Sequence, residues 1–289
     1  MNQPLSKRHH FVPKLLLKPW LLENQQQQPV LRGYYWDQKS SSVRCKEKGM
    51  DAFCNQIDLL TLKAHQKGRD ALEKVFFGGI DSQGAAAKEL LLKHGPNILT
   101  ATQRVEFARL LLSLEARRPA VVEKLRNGGK TFAEILNSDP LVLSEMKRLH
   151  IAGLPSTFFE GKSAQSLDDR AMSVIAKLVD NSKVGTVLIN SNWAILSVGQ
   201  FDGNFILSDR PLIRTHGYDS PNVAWVLPLE PKSVFVATNS IELVQKMRSL
   251  TGQRLVKTVN VSSIAQAERF IFSVGNVNSV WLSNNLPKQ

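Results

Sequence analysis

Cysteine is scarce in this chain: Cys45 and Cys54 are the only two in 289 residues. Their spacing fits neither a CxxC pair nor a disulfide framework, and without a Cys–His cluster no structural zinc is expected. Sparse cysteine suits a reducing compartment, so a cytoplasmic location is expected. Long apolar runs are missing too. The nearest approach, Phe11 to Leu22, is interrupted by Pro13, Lys14, Lys18 and Pro19, and no small-residue cleavage site follows it. It therefore reads as neither an export leader nor a span, and no membrane partner is expected. The chain also lacks a glycine-rich phosphate loop, a Rossmann fingerprint, a G-x-S-x-G elbow and any internal repeat. Those absences remove the usual grounds for a P-loop NTPase, a dinucleotide enzyme, an α/β-hydrolase or a solenoid.

What remains is globular: 43% apolar and 21% charged residues, enough for a sizeable core. The net charge is +12, from 37 basic and 25 acidic residues. Residues 1–150 hold 24 Lys and Arg against 15 Asp and Glu, whereas residues 151–289 hold 13 against 10. Such a field draws in phosphate-bearing partners, nucleic acid or a nucleotide. The plainer alternative is a basic but solvated surface, since no DNA- or RNA-binding signature accompanies the charge.

Hydrophobic periodicity divides the chain into a motif segment with a hairpin (1–50), a helical region (51–182) and a strand-rich region (183–289), read as one domain. Val30–Trp36 and Val43–Lys46 pattern as a hairpin around the turn chemistry of Asp37–Ser42. Helical faces follow from Gln56, with a stop at Gly78-Gly79, then Ala85–His94, Gln103–Arg117 capped by Thr102, three shorter helices, and Asp168–Asp180. After Lys183, Val184–Ile189 and Trp193–Val198 read as a strand pair, followed by strands at Phe205–Leu207, Val223–Val226, Val234–Ala237 and Val280–Leu282. Helices are expected at Ile241–Leu250 and Ser263–Ser273. Clustered helices followed by clustered strands predict an α+β fold: the N-terminal hairpin and C-terminal strands form a mainly antiparallel sheet, with a helical middle.

Two stretches carry candidate chemistry. In Arg8-His9-His10-Phe11-Val12-Pro13-Lys14, adjacent histidines on a regular strand face opposite ways, while a turn would let both serve one centre. Either one imidazole is a base or ligand and the other an anchor, or both are anchors bonded to backbone groups. Far downstream, Asp209 in Ser208-Asp209-Arg210-Pro211 suits cation binding, orientation of a histidine, or an Asx-turn. Ser208 reads better as a turn residue than as a nucleophile. Arg117 and Arg118 close a helix, where they meet its dipole or grip a phosphate. Arg32 and Tyr35 sit on a strand suited to contacting a nucleotide chain, while Trp193, Trp225 and Trp281 read as core. Lys39, Arg44, Lys46 and Lys48 read as a solvated hairpin edge. A bound ion held by Asp209 and His10 would be Mg²⁺ or Mn²⁺, completed by water or phosphate.

Taken in order, these motifs resemble the bacterial family known as domain of unknown function 4238. The resemblance lies in His9-His10-Phe11-Val12-Pro13, Arg117-Arg118-Pro119, Trp193, Ser208-Asp209-Arg210-Pro211, Pro228-Leu229-Glu230-Pro231 and Asn260. It implies a shared scaffold and no particular reaction. Many relatives carry a glutamate soon after the first helix begins, where this chain has His65-Gln66. From the residues, the expectation is a nuclease-like phosphodiester hydrolase acting on nucleic acid. His9, His10 and Asp209 would be catalytic, and Arg117, Ser208, Arg32 and Tyr35 would contact substrate. The alternative is a non-enzymatic component, binding nucleic acid or protein, of a bacterial regulatory or phage-defence system. The His9–Leu17 segment is expected to pack beside Phe205–Asp209, because alone it buries too little surface to stay ordered.

Overall fold

The computed structural model describes residues 8–62, 70–138, 140–148 and 167–288. It opens on β1 (Arg8–His10), followed by the short helix α1 (Lys14–Leu17), a 3-10 turn and β2 (Leu21–Glu23). The predicted hairpin follows as β3 (Pro29–Asp37) and β4 (Ser42–Lys48), paired antiparallel from Leu31↔Lys48 to Asp37↔Ser42. β5 (Asn55–Ile57) then returns to pair with β1, setting His9 opposite Gln56 and His10 opposite Asn55.

β3 joins the two ends of the chain. β4 lies along one edge; along the other lie β2 and then a late strand, β11 (Ile271–Phe272), with Phe272 opposite Gly33. β7 (Leu207–Ser208) extends the sheet beyond β11. A second sheet has the order β6 (Asn192–Ser197), β10 (Ser233–Thr238), β9 (Ala224–Glu230), β8 (Ile213–Arg214). Every pairing among the described residues is antiparallel. The α+β expectation holds, with the hairpin joined to the late strands β7 and β11 in one sheet and the other C-terminal strands in a second.

Several boundaries differ from the sequence expectation. Gly78-Gly79 does not stop a helix. A π-helical stretch, Leu72–Phe77, runs directly into α2 (Gly78–His94), which ends at Gly95 in the left-handed region (φ 78°). A glycine at the right place ends a helix only where the chain can turn away. The next helix, α3 (Ala101–Ala116), is capped by Thr100 rather than Thr102, in a reciprocal capping box with Gln103. Two of the expected short helices fuse into α4 (Pro119–Ser138), followed by α5 (Pro140–Arg148) and α6 (Leu167–Val179).

Val184–Ile189 lies in a helix, α7 (Ser182–Asn190), not a strand. Its β-branched residues lower helix propensity by only tenths of a kcal/mol each. The Asn181 cap on Val184 N–H and the burial of Leu188 outweigh that. Arg104 fixes the junction with β6, donating to the carbonyls of Ile189 and Ser191 (2.7 Å each) while lying over the Trp193 ring. Near the C-terminus, α8 (Ile241–Arg248) is as expected, α9 (Gly252–Ala265) starts and stops early, and Val280–Leu282 belongs to α10 (Ser279–Asn285).

One apolar cluster holds Val12, Leu17 and Trp20 of the opening segment together with Phe77, Phe107, Leu207, Trp225 and Phe235. Trp20 Nε1 donates to the Phe205 carbonyl (3.1 Å), so the opening segment does reach the late strands. α2 and α3 pack closely at Gly84, where a Cβ would lie 2.7 Å from Leu110 Cδ2. No helix among the described residues is long and apolar enough to cross a membrane.

Candidate functional site

The pleat of β1 sends the two histidines to different surroundings. His9 points inward and is fully buried. Its Nδ1 accepts from Leu60 N–H (2.8 Å), which places the ring proton on Nε2, 3.6 Å from Asp70 Oδ1. His10 faces outward, half-buried, with Nε2 3.2 Å from Asp51 Oδ1 but off the axis of a hydrogen bond. Lys14 Nζ lies 2.6 Å from that same oxygen. Burial, assisted by Lys14, holds the His10 imidazole below its usual range against the pull of Asp51. The ribbon partner is held by unusual backbone: Cys54 (φ 51°) and Asp58 (φ 55°) bracket β5 in the left-handed region, costing about 1 kcal/mol each.

Across from the histidines stands the π-helical stretch. A π turn is rare and recurs at functional positions because the extra residue re-aims side chains. Here it carries Glu73, whose Oε1 accepts from His10 N–H at 3.4 Å, while Oε2 is buried without a hydrogen-bond partner. Burial pushes the Glu73 carboxyl up, although His9 and Arg117 pull the other way.

Behind it, Arg117 is 1% exposed. Its guanidinium forks onto Asp81 (3.1 and 2.6 Å), donates to Ser113 Oγ (2.7 Å) and lies over the Phe77 ring, while Nε has no partner. This cluster therefore gathers His9, His10, Glu73, Asp70, Asp81 and Arg117 from four segments of chain. The close approach of α2 and α3 at Gly84 is what lets Arg117 reach Asp81.

Asp209 belongs to a different assembly. Its Oδ1 accepts from Glu268 N–H (2.8 Å) and its Oδ2 from Arg269 and Phe270 N–H (2.7 and 2.9 Å). Burial lifts its carboxyl to about 6 in spite of those three amides. Ser208 Oγ donates to the Arg210 carbonyl (2.7 Å), a turn bond. Neither residue contacts His10: the acid beside that imidazole is Asp51. The donor set proposed for a divalent ion is thus not assembled, and among the described residues no three His, Cys, Asp or Glu side chains converge as ligands.

The remaining candidates lie on the hairpin. Arg32 pairs with Glu47 (2.7 Å) and donates to Asn276 Oδ1 (2.9 Å). Tyr35 packs edge-to-face on Phe270, with Lys46 Nζ 5.6 Å from its ring centre. Trp193 and Trp225 are core. His65-Gln66 lies outside the described residues. The carboxylates that sequence reasoning missed are Asp51, Asp70, Glu73 and Asp81. Asp70 and Glu73, three apart ahead of a helix, share a face, and that spacing was the available signal.

No curated protein and no solved structure matches the chain. Residues 8–274 match the family described as "Protein of unknown function (DUF4238)". That match begins at β1 and ends just past β11, taking in both the histidine cluster and the Asp209 corner, and the chain belongs to this family.

Proposed function

We propose that the chain is a phosphodiester hydrolase acting on nucleic acid, with His10 as general base and Glu73 as general acid. The observation that carries this reading is the shared burial of two neighbours, with Glu73 accepting from His10 N–H: burial disfavours the charged form of each, lowering the imidazole and raising the carboxyl. Burial that favours a neutral imidazole and a protonated carboxyl favours the forms that a general base and a general acid need. Asp51 beside Nε2 favours the tautomer with the proton on that nitrogen, which leaves Nδ1 as the basic atom.

His10 removes a proton from water, the water oxygen bonds to phosphorus, the phosphorus–oxygen ester bond breaks, and Glu73 protonates the departing oxygen. His9 and Arg117 are positioning residues, since Leu60, Asp81 and Ser113 engage their polar atoms. The net charge of +12 supports a polyanionic substrate. A non-enzymatic binding role is the second reading, favoured by the full burial of His9 and the Asp81 fork on Arg117. Incubation with single- and double-stranded DNA and RNA, with and without Mg²⁺ or Mn²⁺, separates the two. Cleavage lost in His10→Ala and Glu73→Gln is expected; no cleavage by the wild type, or cleavage undiminished in His10→Ala, overturns the hydrolase.

A further inference from the structure

Two cavities of about 610 Å³ each adjoin the His10–Asp51–Lys14 contact. One is lined by Arg8, Lys48 and Asp51, the other by Lys14, Lys18 and Lys88, and Met50 lines both. Lys88 is the unusual member. It is only 8% exposed, yet its ammonium makes no hydrogen bond or ion pair with any described residue. Burial pulls its pKa down, while the carboxylates of Glu230 and Glu89, which also line that cavity, pull it up.

We propose that the two cavities are halves of one groove that binds single-stranded nucleic acid, leading its phosphates past His10 from the Lys48 side to the Lys88 side. Each half has the volume of a pocket that encloses one drug-sized molecule, which fits a nucleotide unit and not a paired helix. Cations on both flanks track a backbone as single-strand binders do. On the first flank the basic line continues along β4: Lys46 and Lys48 share a face, paired to Gly33 and Leu31. That gives the hairpin edge a function beyond solvation. Lys14 sits at the junction, bonded to the oxygen of Asp51 that also faces His10, so a phosphate drawing Lys14 towards itself passes the imidazole.

This inference deepens the hydrolase reading by naming the form of its substrate, and its test does not depend on cleavage. Fluorescence anisotropy with a phosphorothioate-linked, uncleavable single strand is compared with the duplex of the same sequence. The single strand is expected to bind at least about tenfold tighter than the duplex. Lys88→Met and Lys48→Gln each weaken it about tenfold, as loss of a charge-assisted contact does, and each lowers the log–log salt slope by about 0.7. Lys48 is exposed and Lys88→Met keeps the volume of the stem, so circular dichroism should show both variants folded. Duplex binding as tight as single-strand binding overturns the groove, as do two variants that bind like the wild type. So does a preference for a polyglutamate peptide over the oligonucleotide. Single-strand binding through both lysines without cleavage of a natural strand removes the hydrolase reading alone.

Discussion

The cluster around His10 and the corner around Asp209 are both buried polar assemblies, and they differ in how completely their atoms are matched. At the corner, both Asp209 oxygens accept backbone amides, its own N–H bonds the Phe270 carbonyl, and Ser208 closes the turn. Arg210 Nε is its orphan among the described residues. In the cluster, His10 Nε2, Glu73 Oε2 and Arg117 Nε are all buried without a hydrogen bond. A satisfied network fixes geometry, whereas orphaned donors and acceptors reduce stability and persist where a site needs them. The corner shifts Asp209 but matches both its oxygens, locking β7 to the Glu268–Phe270 turn; the cluster shifts His10 and Glu73 and leaves a side-chain atom of each unmatched. Both contain motif residues, and the contrast separates scaffold from candidate chemistry.

The sharpest way to break this contrast is to remove the cluster's acid and base. His10→Ala and Glu73→Gln should each lower cleavage by a hundredfold or more, about 3 kcal/mol of transition-state stabilisation. Their melting temperatures should stay close to wild type, because neither side chain is an apolar core residue. The pH profile gives the signs. kcat/KM falls on the acid side as His10 takes up a proton below its ordinary 6.5, and on the alkaline side as Glu73 loses its proton above its ordinary 4.5. Glu73→Gln should remove one limb only; a profile with both limbs intact would clear Glu73 of the acid role.

Asp209 should behave in the opposite manner, with stability as the readout. Asp209→Ala leaves three N–H groups without their acceptor, that of Phe270 buried, and should cost about 2–4 kcal/mol in urea unfolding. The wild-type carboxyl, raised from 3.8 to about 6 by burial, binds more proton folded than unfolded between those values. Its contribution is therefore fully present below about pH 4 and lost as pH rises to about 6. Asp209→Asn, which cannot ionise, should flatten that part of the stability curve. Gly84→Ala is a smaller perturbation of the cluster's support. Its Cβ would press on Leu110 and part α2 from α3, costing about 1–3 kcal/mol. Cleavage should fall as well, through the displaced Asp81–Arg117 fork.

The sequence made the scaffold more legible than the site, for physical reasons. Val30–Trp36 is a run rich in β-branched and aromatic residues bounded by turn residues and folds as a strand; Val105, Phe107, Ala108, Leu111 and Leu112 repeat at helical spacing and fold as α3. Val184–Ile189 misled because β-branching is a weak local preference that an Asn181 cap and the core contact of Leu188 override. At the site, His9-His10 stood out as a rare pair, but their carboxylate partners are scattered. Asp51 follows the hairpin, Asp70 and Glu73 precede a helix, and Asp81 lies within it. No spacing rule relates Asp51 to Glu73; only the β1–β5 pairing and the π-helical stretch bring them to His10. Asp209 looked catalytic because a lone carboxylate before proline suits several roles. Which role it has depends on three amides from a distant turn that no local pattern announces.

The smallest expected effect serves as the calibration for the others. Thr100 accepts from Gln103 N–H (3.2 Å) while the Gln103 side chain accepts from Thr100 N–H (3.0 Å), closing the exposed first turn of α3. Thr100→Ala removes half of that exchange and should cost about 1 kcal/mol, as N-cap losses do. For a chain of this size that is about 2–4 °C in Tm. Arg117 follows the other end of the same helix, and its bonds to Asp81 and Ser113 do not involve the cap. Thr100→Ser, which keeps the hydroxyl, should recover the loss. Cleavage and its pH profile should match wild type in Thr100→Ala below the transition. If this variant lost activity in proportion to its stability, the losses in His10→Ala and Glu73→Gln would also have to be read as unfolding, and the cluster would stand as scaffold like the Asp209 corner.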